Sequence, residues 1–118
     1  MPIANRPWTF SSLVISGAPT EPGVYALLED DEVIYYGCAF QGTTIQSALY
    51  AHLNRIRSGE GGCLRPVNRY TWEITYRPRL REAELLREFE LAHHRQPRCN
   101  QLRRSTELQP VADERRSA

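Results

Sequence analysis

The chain has no lysine: all fifteen of its basic residues are arginine. Arginine offers a planar fork that meets phosphate oxygens two at a time, so the bias leaves polyanion binding open. Nowhere among the 118 residues is there a run of 18 apolar positions, which excludes a membrane-spanning helix. The opening MPIANRPWTF has no basic flank followed by an apolar stretch, and no signal peptide is expected. Cysteine is scarce and odd in number, with Cys38, Cys63 and Cys99 far apart. They read as free thiols in a reducing compartment, which makes the expected localisation cytoplasmic. Cys63, His93, His94 and Cys99 lack the paired spacing of a zinc site. The glycine-rich GEGG carries no lysine or threonine after it in P-loop fashion, so nucleotide hydrolysis is unsupported.

What is present is enough for one domain with a modest core. The net charge of +1 hides an uneven distribution. Residues 1–49 carry one arginine against five acids, a balance of −4, whereas residues 50–104 carry twelve arginines against six acids, a balance of +6. A basic half of this kind attracts a polyanion, although exposed arginines also serve solubility. The pattern leaves a nucleic acid open as partner and does not by itself decide between DNA and RNA. It leaves a protein partner or a homo-oligomer open and gives no reason for a membrane.

Along the chain, residues 1–21 are broken by Pro2, Pro7 and Pro19 and read as a connector, with Trp8 and Phe10 anchoring it. From residue 23, GVYALLEDDEVIYYG holds two β-branched and aromatic runs around EDDE, an antiparallel hairpin. A two-residue turn at Asp30 and Asp31 pairs Tyr25 with Tyr36; a three-residue loop with a bulge brings Tyr25 opposite Tyr35. Thr43 or Thr44 caps a helix from Ile45 to about Ser58, with Ile45, Ala48, Leu49, Leu53 and Ile56 at helical spacing and His52 on or beside that stripe. YTWEITYRP alternates as a third strand ended by Pro78. A second helix is expected from about Leu80 to Arg95, with Leu85, Leu86, Phe89, Ala92 and His93 inward and Glu88 on the edge of that arc. The foldable domain spans 22–104, and 105–118 read as a flexible tail.

This order of elements resembles the GIY-YIG nuclease superfamily. Gly23, Val24 and Tyr25 are similar to its first motif, and Tyr35, Tyr36 and Gly37 to its second, with Tyr36 in place of isoleucine. Glu88, Pro97 and Asn100 match its acidic helix position and its Pro-x-x-Asn ending, so the likeness covers residues 22–102. It implies an α/β fold with a small three-stranded antiparallel sheet and flanking helices. The implied activity is metal-dependent endonuclease hydrolysis of nucleic-acid phosphodiesters, with Mg2+ or Mn2+ held by Glu88.

The same resemblance implies roles for Tyr25, Tyr35, His52, Arg55, Glu88 and Asn100. Tyr25 would position or deprotonate a water, and Tyr35 would hold a phosphate oxygen or water. A phenol has an unperturbed pKa of about 10, so acting as a base needs help from its surroundings. Each phenol has a plainer reading as a packed strand aromatic; His52 reads equally as a buried imidazole, Glu88 as an ion-pair partner and Asn100 as a structural amide. The family's first-helix arginine falls on Ala48, four residues before His52, and Arg55 is the candidate to replace it. Arg69, Arg77, Arg79, Arg95 and Arg98 are candidates for tracking a nucleic-acid backbone. The Ala48 departure supports a competing reading as a catalytically reduced binding module; a protein-interaction domain is the third.

Overall fold

The computed structural model describes residues 1–101. Its elements in order are β1 (Trp8–Thr9), α1 (Ser12–Ile15), β2 (Gly23–Glu29), β3 (Glu32–Ala39), α2 (Ile45–Arg57), a 3-10 turn at Gly62–Leu64, β4 (Arg69–Ile74) and α3 (Pro78–His93). The expected domain end at 104 and the tail from 105 fall outside the described residues.

The sheet has four antiparallel strands in the order β1-β4-β2-β3, which corrects the three-stranded expectation. The added strand is β1, where Trp8 pairs with Tyr70 and Thr9 with Arg69 along the outer edge of β4. Two residues between a proline and a helix cap are too few to show a strand's alternation, so only a neighbouring edge reveals them. The connector also contributes α1, capped by the Ser11 hydroxyl, and its Phe10 and Ile15 join the core.

The hairpin closes over a two-residue turn, with Glu29 opposite Glu32. Asp30 takes φ 55, a left-handed conformation that Asp tolerates better than most residues. Its N–H donates to Asn68 Oδ1 at 2.8 Å, and Asn68 Nδ2 donates back to Asp30 Oδ1 at 3.0 Å. Two positions further in the ladder slips: Leu28 faces Val33, but Leu27 faces Tyr35. Ile34 is therefore an extra residue, a bulge that sends both Ile34 and Tyr35 to one side of the sheet. The consequence is that Tyr25 stands opposite Gly37, neither of the two partners expected from a regular hairpin.

α2 and α3 cover opposite faces. On the α2 side, Tyr25, Leu27, Ile34, Tyr35 and Tyr70 pack with Ile45, Leu49 and Leu53. On the α3 side, Val24, Ala26, Leu28 and Tyr36 pack with Leu85, flanked by Leu86 and Phe89. α2 starts as expected, with Thr44 as N-cap and Ser47 completing a reciprocal capping box. α3 begins two residues earlier than expected because Pro78 serves as its first helical residue, where a missing N–H costs nothing. It ends at His93, and Ala92 and His93 are exposed rather than inward.

Cys63 and Cys99 form a disulfide, correcting the reading of all three cysteines as thiols. With both sulfurs bonded to each other, the zinc grouping is also excluded. The two residues are 36 apart in sequence, a separation with no recognisable motif; only the fold brings the 3-10 turn against the segment after α3.

Candidate active site

The Tyr25 hydroxyl lies 2.8 Å from His52 Nε2. With the imidazole proton on Nδ1, Nε2 accepts the phenol O–H, so a phenol and a base are joined directly. The Tyr35 ring completes the group: its centroid is 5.4 Å from that of His52 and 6.4 Å from that of Tyr25. Each member comes from a different element. β2 supplies Tyr25, the β3 bulge supplies Tyr35, and one helical turn beyond Ala48 on α2 stands His52.

The two motif glycines have separate steric reasons. A Cβ at Gly37 would stand 2.5 Å from Tyr25 Cζ and Oη, so the phenol lies across the space a side chain would take. A Cβ at Gly23 would stand 2.2 Å from the Glu73 carbonyl oxygen and 2.6 Å from Ile45 Cδ1. Gly23 thus permits β4 and α2 to close on β2, and Gly37 permits the Tyr25 ring to reach His52.

Asn100 is buried, 2 % exposed, on the open edge of β3. Its Oδ1 accepts the Tyr36 N–H at 2.8 Å, and its Nδ2 donates to the Tyr36 carbonyl at 2.9 Å. One amide replaces the strand that would otherwise pair there, which fixes the edge directly after Tyr35. Its observed contacts are those of a positioning residue.

Glu88 is not brought to this group. It lines a depression of about 290 Å³ on the α3 side with Pro2, Tyr36, Leu85, Phe89, Ala92 and His93. The Met1 amino group pairs with its carboxylate, and Arg81 Nη1 stands 4.0 Å away. Burial raises the Tyr36 phenol pKa above its ordinary value, Glu88 raises it further and Arg81 opposes. Arg81 is itself anchored by Glu73, with Nε to Oε2 at 2.7 Å, and that hydrogen bond leads in keeping its guanidinium charged.

A divalent cation at Glu88 would sit beside this guanidinium and across the sheet from Tyr25. Among the described residues no group of three or more His, Cys, Asp or Glu side chains could hold a metal ion. On the α3 side of the sheet, paired with Met1 and close to Arg81, Glu88 does not fit Mg2+ or Mn2+ acting at the Tyr25–His52 pair. Arg55 is exposed on the last turn of α2, its carbonyl accepting from Glu60 N–H at 2.8 Å. Ala48 packs against the core.

The arginine candidates divide in two. Arg69 pairs with Asp31 at 3.2 Å, Arg95 with Glu32 at 3.7 Å, and Arg98 with Glu29 and with Glu32 at 3.5 Å. The basic half thus spends three of its cations on the acidic hairpin loop of the other half, which sequence separation concealed. Arg77 and Arg79 have no carboxylate partner among the described ion pairs; the Arg79 guanidinium stands 5.4 Å from the Phe40 ring centroid.

No family model, curated protein or solved structure matches the chain. The site's chemistry accordingly rests on its own geometry. Among the described residues no helix is long and apolar enough to cross a membrane. Sequence reasoning had Arg81 among the arginines that could pair with Glu88, and the two stand 4.0 Å apart; it missed that Glu73, on β4, is what anchors Arg81. It also missed Phe40, for which no local signal existed.

Proposed function

We propose that the chain is a nucleic-acid phosphodiesterase, an endonuclease of the GIY-YIG kind, with DNA as substrate before RNA. The observation that carries this reading is the 2.8 Å contact between Tyr25 Oη and His52 Nε2 beside Tyr35. In it, His52 draws the phenol proton toward Nε2, and the Tyr25 oxygen gains the electron density needed to orient and deprotonate an attacking water. Tyr35 adds a second phenol to the group, whose hydroxyl would orient the water or a phosphate oxygen. Gly37 leaves the room in which the Tyr25 ring reaches His52. The metal that the resemblance implies supplies charge for the phosphate oxygens when bound; no step here is routed through it, because Glu88 does not fit that role in the described conformation.

The test is cleavage of labelled single-stranded, duplex and branched DNA in Mg2+, Mn2+ or EDTA. Tyr25→Phe and His52→Ala are expected to lose about 10²-fold or more in rate while remaining folded. Unchanged cleavage in folded Tyr25→Phe would reject the site. Glu88→Ala separates the metal question: retained metal-dependent cleavage would remove Glu88 from the chemistry and leave the phenol–imidazole pair in place.

A second reading, a binding module with reduced catalysis, is favoured by Ala48 in the helix position and by Glu88 facing Arg81. It predicts salt-sensitive DNA binding with no cleavage under any metal.

A further inference from the structure

Between β4 and α3 the chain reads Thr75-Tyr76-Arg77-Pro78-Arg79. Tyr76 is 102 % exposed, more open than any other large apolar side chain described, and no described ring contact or hydrogen bond involves its side chain. Aromatic rings ordinarily bury most of their area, so a bare ring beside cations has the form of a stacking surface. The peptide carrying it is held firmly. Thr75 Oγ1 accepts the Arg77 N–H at 3.2 Å, Thr75 N–H donates to the Pro22 carbonyl at 3.5 Å, and Pro78 is buried.

The surroundings suit a nucleotide. A depression of about 340 Å³ is lined by Thr75, Tyr76, Arg77, Leu80, Arg81 and Glu84. Arg81 there is neutralised by Glu73 and Glu84, whereas Arg77 and Arg79 have no carboxylate partner among the described residues. They differ in this from Arg69, Arg95 and Arg98, which the hairpin acids neutralise. Arg77 thus lines the depression with the ring, while the Arg79 guanidinium, three residues on in sequence, stands 5.4 Å from the Phe40 ring centroid. Trp72 pairs with Tyr25 in the sheet and β4 ends at Ile74, so Tyr76 lies just past the end of the strand adjacent to the one that carries the candidate reacting phenol.

We infer that Tyr76, with Arg77 and Arg79, forms a platform for unpaired DNA, the ring stacking one base and the guanidiniums meeting the flanking phosphates. A duplex hides its base faces, so this surface selects single-stranded or frayed DNA, the substrate form the proposed nuclease would take. The inference rests on the reading that the chain engages nucleic acid, and not on its cleaving it.

The experiment measures fluorescence anisotropy of a labelled oligothymidylate and of a duplex of equal length with the full chain in EDTA. Tyr76→Ala is expected to weaken single-strand binding roughly ten-fold or more, the loss of one stacked base. Tyr76→Phe should bind as the wild type does. Removing Arg77 or Arg79 should lower the salt slope by about 0.7 each. Circular dichroism confirms folding, which a fully exposed side chain should not affect. Equal single-strand affinity in wild type and Tyr76→Ala, or tighter binding of duplex than of single strand, would overturn the platform. If Tyr76→Ala is unimpaired while the wild type cleaves DNA, the platform fails and the nuclease stands. If single strands bind through Tyr76 and nothing is cleaved, the platform stands and the nuclease fails.

Discussion

A methyl group at Gly37 would meet the far end of the Tyr25 side chain, whereas one at Gly23 would meet the Glu73 backbone at 2.2 Å. A ring can tilt; a paired strand cannot retreat without losing its ladder. Gly37→Ala is therefore expected to cost about 1–3 kcal/mol and to displace Tyr25 from His52. Gly23→Ala should cost more than ~3 kcal/mol or prevent folding. Urea melts of the two variants check the order, and equal costs would contradict it. Two of the four buried tyrosines, Tyr36 and Tyr70, couple stability to alkaline pH. Burial raises the Tyr36 pKa first and Glu88 second; for Tyr70, burial leads and Tyr50 adds. A raised phenol pKa means that the fold favours the neutral form. The stabilisation is then complete below the unfolded value of about 10 and is lost as pH rises through the higher folded value. Urea midpoints should hold from pH 7 to 9 and fall above about pH 10, less steeply in Tyr36→Phe. The sequence showed which residues formed the two motifs, but not that the second glycine makes room for the first tyrosine, because that relation exists only across the strand pair.

Among the elements, the β2–β3 hairpin does most to shape the site. Its strands and turn were legible from EDDE between two β-branched runs, yet the register was not. The bulge at Ile34 depends on both faces being buried at once, with Ile34 and Tyr35 packed on the α2 side and Tyr36 on the α3 side. Asn100 then holds the outer edge of β3. Asn100→Ala leaves the Tyr36 N–H and C=O unpaired and should cost about 2–4 kcal/mol. Hydrogen exchange at the Tyr36 amide should accelerate correspondingly; unchanged protection would mean that the edge needs no such clamp. Asn100→Asp should recover only part of the loss, since a carboxylate can accept from the N–H but cannot donate to the carbonyl. α2 was the element best read in advance, its Thr44 cap and apolar spacing being local signals. α3 was misjudged at its start because Pro78 can close a strand or open a helix, the covalent context being the same in either case, and at its end because His94 takes a left-handed φ of 60 that stops the helix at His93.

For the molecule as a unit, the Cys63–Cys99 disulfide and the arginine–acid pairs tie distant segments together. The disulfide closes a loop of 36 residues between the turn after α2 and the segment that carries Asn100. Reduction should lower stability by about 2–4 kcal/mol, as should Cys63→Ser with Cys99→Ser. A urea midpoint unchanged by a dithiol reductant that demonstrably frees both thiols would refute this contribution. Local spacing and periodicity already dictated the hairpin and α2 with its apolar stripe, because those features need only near neighbours. The fourth strand, the disulfide, the use of Arg69, Arg95 and Arg98 against the hairpin acids, and the separation of Glu88 from Tyr25 depended on the folded chain. Each joins or divides residues through the side of a sheet or the closing of a long loop, and a one-dimensional order does not encode which face a residue will take until a bulge has set it.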